Sequence, residues 1–168
     1  MSENPTVGST RNLVFATIAF AACFSAWGMI APIAPDIQDE LGLSNTQTSI
    51  MIAIPVGVSG ASFAVGIPFV AEWTPPKRQG FALGVYGVGN IGTAVAAFSV
   101  PAIRDSAGQE VAGLVYAAVI GAYALIWWSF ARNVPERKPK KQPYREVLRS
   151  GWDLYRLSLF YFVTFGGF

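Results

Sequence analysis

Four long runs of this chain carry no charge at all, and that limits its folds more than any motif does. Leu13–Pro35 is 23 residues, Ile50–Ala71 is 22, Gly80–Ile103 is 24 and Val111–Ala131 is 21. A helix needs about 20 apolar residues to cross a hydrocarbon core of roughly 30 Å, so each run is long enough. Helices are expected rather than strands, because a lone segment in lipid must satisfy its own backbone hydrogen bonds. With 13% charged residues in a 168-residue chain, too little charge remains to cover a water-soluble fold. An ordinary cytosolic enzyme, a disordered tail and a nucleic-acid-binding domain are excluded on that ground. The expected class is an all-α membrane protein with four transmembrane helices and the start of a fifth.

The chemistry of the chain is equally restricted. There is no histidine, and the single cysteine, Cys23, sits in an apolar run. A disulfide framework, a metal cluster, a Ser-His-Asp triad and a histidine proton shuttle are therefore not expected. No cofactor and no metal ligands are read. No span or loop gathers a nucleophile, a base and oxyanion donors, so enzymatic activity is the least expected function.

The charges outside the runs set an orientation. Arg11 precedes the first run, Lys77 and Arg78 lie between the second and third, and eight basic residues lie between Arg132 and Arg156. The loop from Asp36 to Ser49 holds three acidic residues and no basic one. The positive-inside rule puts the N-terminus, the Lys77 loop and the basic segment in the cytoplasm, and four crossings make that consistent. The expected organisation is a cytoplasmic N-terminus over 1–12, a bundle over 13–131, a basic cytoplasmic loop over 132–156 and the start of a further transmembrane helix over 157–168. Ser44 with Gln47 forms a capping box ahead of the second span, and Pro75–Pro76 stops the helix after it. Pro55 and Pro68 predict kinks within that span. The basic segment reads as a solvated connector against anionic lipid headgroups, with no nucleic acid as partner.

The third span, GFALGVYGVGNIGTAVAAF, is the informative one. At 100° per residue Gly80, Gly84 and Gly87 share one face, while Gly89 and Gly92 lie towards the other. Small residues let helix backbones approach closely in lipid, and packing is the favoured reading of the glycines taken alone. Asn90 is polar at mid-span, where a carboxamide faces either a neighbouring helix or a cavity. It can donate to an oxyanion or to a helix backbone, and the residue by itself does not choose.

The residues resemble a known family. AWGMIAPIAPDIQDELGLS (Ala26–Ser44), GASFAVGIPFVAEWTPPKRQGFALGVYGVGNIGTAVAAF (Gly60–Phe98) and LYRLSLFYFVTFGGF (Leu154–Phe168) are similar to segments of the nitrate/nitrite porters of the major facilitator superfamily. GVGNIG (Gly87–Gly92) looks like the glycine-rich nitrate signature of their fifth helix. The resemblance implies a partial N-terminal bundle of that superfamily, in the cell (inner) membrane, moving nitrate or nitrite by alternating access. It implies that Asn90, Gly87, Gly89 and Gly92 line the anion path, that Tyr161 contacts substrate and that Phe24 borders the cavity. MIAIPV (Met51–Val56) looks like the start of the family's second helix and GVSGASFAVG (Gly57–Gly66) like its fourth, so an internal stretch is expected to be missing. That stretch would carry the family's substrate arginine, and all 12 basic residues here lie outside the four spans. The chain alone is therefore expected to be inactive. The alternatives are a transporter of another small anion or organic solute, and a shortened membrane protein that pairs with the missing half or with a full-length porter.

Overall fold

The computed structural model describes residues 9–134, 146, 148, 149 and 151–166, with side chains described to residue 163 in the last stretch. Helices α1 (Ser9–Leu41), α2 (Asn45–Trp73), α3 (Gln79–Gly87), α4 (Ile91–Ala107) and α5 (Gln109–Phe130) belong to one compact unit, Met1–Val134. Helix α6 (Trp152–Gly166) belongs to a second, Pro135–Phe168. Among the described residues there is no strand. Four stretches are long and apolar enough to cross a membrane: α1, α2, Pro76–Ala107 and α5. The expectation of an all-α membrane bundle holds.

The helices outrun the charge-free runs that predicted them. The acidic loop expected over Asp36–Ser49 shrinks to Gly42–Ser44, because α1 continues through Asp39 and Glu40 and α2 begins at Asn45. Charge marks where the hydrocarbon ends; it does not end a helix, since Glu and Asp project into water from an intact backbone. What ends α1 is Gly42, at φ +62°, a left-handed position that glycine takes without steric cost. The Ser44 hydroxyl then accepts from Gln47 N–H while the Gln47 side chain accepts from Ser44 N–H, so the capping box is formed. Helix α2 runs unbroken through Pro55 and Pro68 and stops at Trp73, ahead of the Pro75–Pro76 pair. The α4–α5 connection is the single residue Gly108, at φ +95°.

Helix α1 is the axis of the first unit. It packs against α2, α3, α4 and α5, while α4 also packs on α5 and α2 on α3. The start of α1, the end of α2, the start of α3 and the end of α5 meet at one end. There Phe15 stacks on Phe130 at 6.3 Å, Phe69 meets Trp127 at 5.2 Å and Trp73 Nε1 donates to the Arg132 carbonyl at 3.1 Å. At the other end Arg104 donates to Asp36 Oδ2 at 3.1 Å, tying α4 to α1. Arg11, Lys77, Arg78 and Arg132 thus share one end, and Asp36, Asp39, Glu40 and Glu110 share the other.

Two apolar clusters fill the unit. Ala16, Phe20, Phe24, Val70, Ala82 and Tyr86 form the one nearer the Lys77 end; Ile33, Ala96, Val100 and Tyr116 form the other. The outward faces are as apolar as the clusters: Phe98 is 81% exposed and Trp128 87%. Such a surface is unsuited to water and suited to acyl chains. In lipid the contrast in polarity that drives soluble folding is missing, so close packing and interhelical hydrogen bonds must hold the helices. The second unit is described by itself. Its helix α6 carries Trp152 and Tyr155 in ring contact at 6.4 Å, with Tyr155 Oη donating to the Leu148 carbonyl at 2.7 Å.

Candidate functional site

The glycine-rich segment of the third span is where the helix changes form. Between α3 and α4, residues Val88–Asn90 make one 3₁₀ turn inside an otherwise continuous span. A tighter turn advances about 120° per residue instead of 100°, so it re-phases the faces on either side.

The glycines divide into two sets by what surrounds them. A Cβ at Gly89 would stand 2.5 Å from Phe20 Cδ1, and one at Gly92 would overlap the Ala21 carbonyl oxygen and come within 2.9 Å of Ser25 N. Both are buried against α1. Gly28 of α1 reciprocates: a Cβ there would lie 3.0 Å from the Thr93 backbone. The two backbones therefore interlock along Gly28, Gly89 and Gly92, and Thr93 Oγ1 reaches the Phe24 carbonyl at 3.5 Å, the outer limit of a hydrogen bond. Gly80, Gly84 and Gly87, on the other side, have nothing within 4 Å of a Cβ.

Asn90 lies one step round from this seam. It is exposed, and although it precedes α4 its side chain makes no capping hydrogen bond. Its carboxamide is thus available, with the bare backbone of Gly87 one turn before it. The structure places Phe24 elsewhere in character: it is 3% exposed, edge-on to Phe20 at 4.3 Å and to Trp27 at 4.8 Å. Tyr161 lies on α6 in the second unit and is 45% exposed. Of the six residues singled out, Gly89, Gly92 and Phe24 are packed inside the first unit, while Asn90 and Gly87 border its open side.

Electrostatically the site is nearly bare. Among the described residues of the first unit the basic groups are Arg11, Lys77, Arg78, Arg104 and Arg132, and each lies at a helix end or beyond it. Arg104 is taken up by Asp36 and Asp105 and also donates to the Pro32 carbonyl at 3.4 Å. What the arrangement offers a small anion is a carboxamide N–H donor beside uncluttered backbone, with no cation at that depth.

Sequence reasoning did not find the tyrosine ties. Tyr86 Oη donates to the Ser62 carbonyl of α2 at 3.2 Å and packs directly on Gly66. Tyr123 Oη donates to the Phe15 carbonyl of α1 at 2.7 Å, and Ser99 and Tyr116 share a hydrogen bond of 2.6 Å between α4 and α5. A phenol inside a span needs a partner, which was a usable signal; the identity of the partner depends on the packing. Nor was Asn12 marked. It is fully buried on α1, and among the described residues neither polar atom of its carboxamide has a hydrogen-bond partner.

Comparison with known proteins now bears on this geometry. The family model of the Major Facilitator Superfamily matches residues 56–168, two thirds of the chain. The chain belongs to that superfamily. Its curated relatives include a probable nitrate transporter NarT of Staphylococcus epidermidis, 27% identical over 93% of this chain and 54% of the relative. The NarT of Staphylococcus aureus (strain JH9) is 30% identical over 89% of this chain and 52% of the relative. A probable nitrate/nitrite transporter NarK2 of Mycobacterium tuberculosis is 26% identical over 96% and 56%. The chain spans about half the length of the curated relatives it matches. No solved structure matches it.

These alignments are longer than the chain they cover. The S. epidermidis match runs over 210 residues yet takes in 93% of 168, about 156, so about 54 residues of the relative have no counterpart. The M. tuberculosis match runs over 220 and takes in 96%, about 161, which leaves about 59. Within the aligned span, each relative therefore has residues for which this superfamily member has no counterpart.

Proposed function

We propose that this bundle derives from a nitrate/nitrite transporter of the cell (inner) membrane, with its N-terminus in the cytoplasm, working by alternating access. The observation that carries this reading is the exposed Asn90 carboxamide beside Gly87, in a span whose Gly89 and Gly92 are packed on α1. The printed names of the relatives point to the same substrate class. Asn90 is assigned as a hydrogen-bond donor to the anion. Gly87 leaves room beside it, and Gly89 and Gly92 line the path from behind by fixing the backbone against α1. Phe24 supports that wall from within the aromatic cluster, and Tyr161 is assigned a substrate contact on the family resemblance. Residues 132–156, of which 135–145, 147 and 150 lie outside the described residues, are assigned on their sequence as a cytoplasmic connector held near anionic lipid.

The 168-residue chain by itself is assigned no transport. No basic side chain reaches mid-span in the first unit, and an anion stripped of water without a cation or a full donor set faces a penalty of several kcal/mol. The test has two arms. Proteoliposomes holding this chain alone should show no nitrate uptake above empty liposomes. A full-length relative carrying Gly80–Ile103 of this chain in place of its own fifth helix should take up nitrate, and should lose that uptake on Asn90→Ala. Uptake by the chain alone that Asn90→Ala abolishes would overturn the assignment of inactivity. Retention of uptake by the Asn90→Ala chimera would overturn the role given to Asn90.

A second reading keeps the transporter and changes the cargo to another small anion or organic solute. Competition against nitrate uptake in the chimera separates the two. A third treats the chain as a helix-packing partner of a full-length porter, supported by the open faces at Gly80 and Gly84. Co-purification with such a porter tests it.

A further inference from the structure

The ring of Phe20 on α1 occupies the place where a side chain at position 89 would sit. A Cβ on Gly89 would stand 2.5 Å from Phe20 Cδ1, 2.9 Å from its Cβ and 3.0 Å from its Cγ. The ring is held from every side. It is 1% exposed, stacks on Tyr86 at 4.7 Å, and meets Phe24 at 4.3 Å and Phe63 at 5.2 Å. Tyr86 is in turn fixed to α2, where its hydroxyl donates to the Ser62 carbonyl and lies against the bare backbone of Gly66. Side chains from α1, α2 and α3 thus converge on one ring, and that ring meets the backbone of the third span at Gly89.

Gly89 is the middle residue of the 3₁₀ turn. The Val88 N–H reaches the Val85 carbonyl and the Ile91 N–H reaches that of Val88, three residues back instead of four. Around it ψ is −22° at Gly87 and Val88, −21° at Asn90 and −23° at Ile91, against about −42° in an α-helix. Hydrogen-bond geometry is poorer in this form, so a neighbour has to hold it. Both flanks are pinned: Tyr86 ties the end of α3 to α2, and Gly92 seats the start of α4 on the Ala21 carbonyl of α1. An α turn between the same points would be about 1.5 Å shorter and rotated by roughly 60°, from about 0.5 Å and 20° per residue. Asn90 would rotate with it.

We propose that Phe20 is a positioning residue: its ring, lodged in the notch at Gly89, holds the 3₁₀ turn and so sets the direction in which the Asn90 carboxamide points. Phe20 itself touches no substrate. The consequence for the anion rests on the assignment of Asn90 as its donor; the hold on the turn does not.

Nuclear magnetic resonance of the full chain in lipid nanodiscs reads the turn without nitrate. The unaltered chain should show proximity between the Phe20 ring protons and the Gly89 Hα, with 3₁₀-type carbonyl shifts at Val88–Asn90. Absence of either would overturn the inference. Phe20→Leu keeps an apolar side chain but removes the ring, and should move those shifts to α-helical values. Gly89→Ala disturbs the same contact from the other side and should displace them as well. Ile33→Ala removes buried apolar surface from the other cluster on α1 and should leave them in place. Unchanged shifts in Phe20→Leu, or an equal change in Ile33→Ala, would overturn the role of Phe20.

A full-length relative whose first and fifth helices are replaced by Ser9–Leu41 and Gly80–Ile103 of this chain reads the consequence for transport. There Phe20→Leu should raise the KM for nitrate about tenfold and change kcat by less than about twofold, while Ile33→Ala moves neither. If Asn90→Ala abolishes uptake and Phe20→Leu leaves KM unchanged, the positioning role fails and the assignment of Asn90 stands. If the turn responds to Phe20→Leu but Asn90→Ala leaves uptake intact, the assignment of Asn90 fails and Phe20 stands as the support of the turn alone.

Discussion

Adding one methyl group at Gly92 should destabilise the bundle, while the same change at Gly84 should stabilise it. Both glycines lie in the same span, and replacing either by alanine removes backbone freedom from the unfolded chain. In a helix interior that change alone favours the folded state by about 0.5–1 kcal/mol. At Gly84 nothing else intervenes, because no atom lies within 4 Å of the new Cβ. At Gly92 the methyl overlaps the Ala21 carbonyl oxygen and approaches Ala21 C at 2.8 Å and Ser25 N at 2.9 Å. All three are backbone atoms of α1, so no rotamer change can make room. The helices must separate, which also loosens the Gly28–Thr93 contact on the same seam. Overpacking of this kind costs about 1–3 kcal/mol, more than the propensity gain offsets. Gly92→Ala is therefore expected to lower stability by about 1–2 kcal/mol. At 1.4 kcal/mol per tenfold, that is a change of roughly five- to thirtyfold in the unfolding equilibrium. Denaturant titration of the purified chain in detergent, followed by tryptophan fluorescence, measures both variants. If Gly92→Ala is as stable as Gly84→Ala, the close approach of α1 and α4 is not real.

Three further outcomes follow from the same geometry. Tyr116→Phe removes one phenol from the Ser99 bond between α4 and α5 and should cost about 0.6–2 kcal/mol, because Ser99 keeps its own bond to the Val95 carbonyl. The same titration reads it, and a neutral result would mean the tie is not made. Asn12→Leu replaces an orphaned buried carboxamide by an apolar side chain of similar branching, and should stabilise by about 1–3 kcal/mol. A loss of stability instead would show that Asn12 has a partner in the folded protein. Asn90→Ala should change stability by less than about 0.5 kcal/mol, since an exposed side chain without a capping bond supports nothing in the fold. A larger loss would make Asn90 a structural residue.

The glycine faces show what was legible in the sequence. Helical phase alone separated Gly80, Gly84 and Gly87 from Gly89 and Gly92, and the structure assigns those sets to the open side and to the α1 side. The separation survives because local periodicity fixes a face before any neighbour is known. The 3₁₀ turn at Val88–Asn90 was not legible. No proline marks it, and it coincides with Phe20 filling the place of a Gly89 side chain, a contact 69 residues away in the chain. Helix ends divide in the same way. The capping box at Ser44 is written in four residues and was found. The continuation of α1 through Glu40 depends on the glycine at 42 rather than on charge, so the charge-based loop was drawn too long.

The bare middle of the bundle sets a limit on what Asn90 can do there. A charge-assisted hydrogen bond contributes about 1.5–3 kcal/mol net. Taking a monovalent anion out of water costs several kcal/mol even after relaxation. One carboxamide therefore falls short unless further donors or a cation close on the ion, and the basic groups of the first unit are confined to the helix ends. The bundle should consequently show no saturable nitrate binding in the millimolar range. Residues brought by another part of an intact porter would have to complete the site. Equilibrium binding of nitrate to the purified chain in detergent decides this. Saturable binding that disappears with Asn90→Ala would mean that a single carboxamide beside bare backbone suffices to offset the desolvation of the ion.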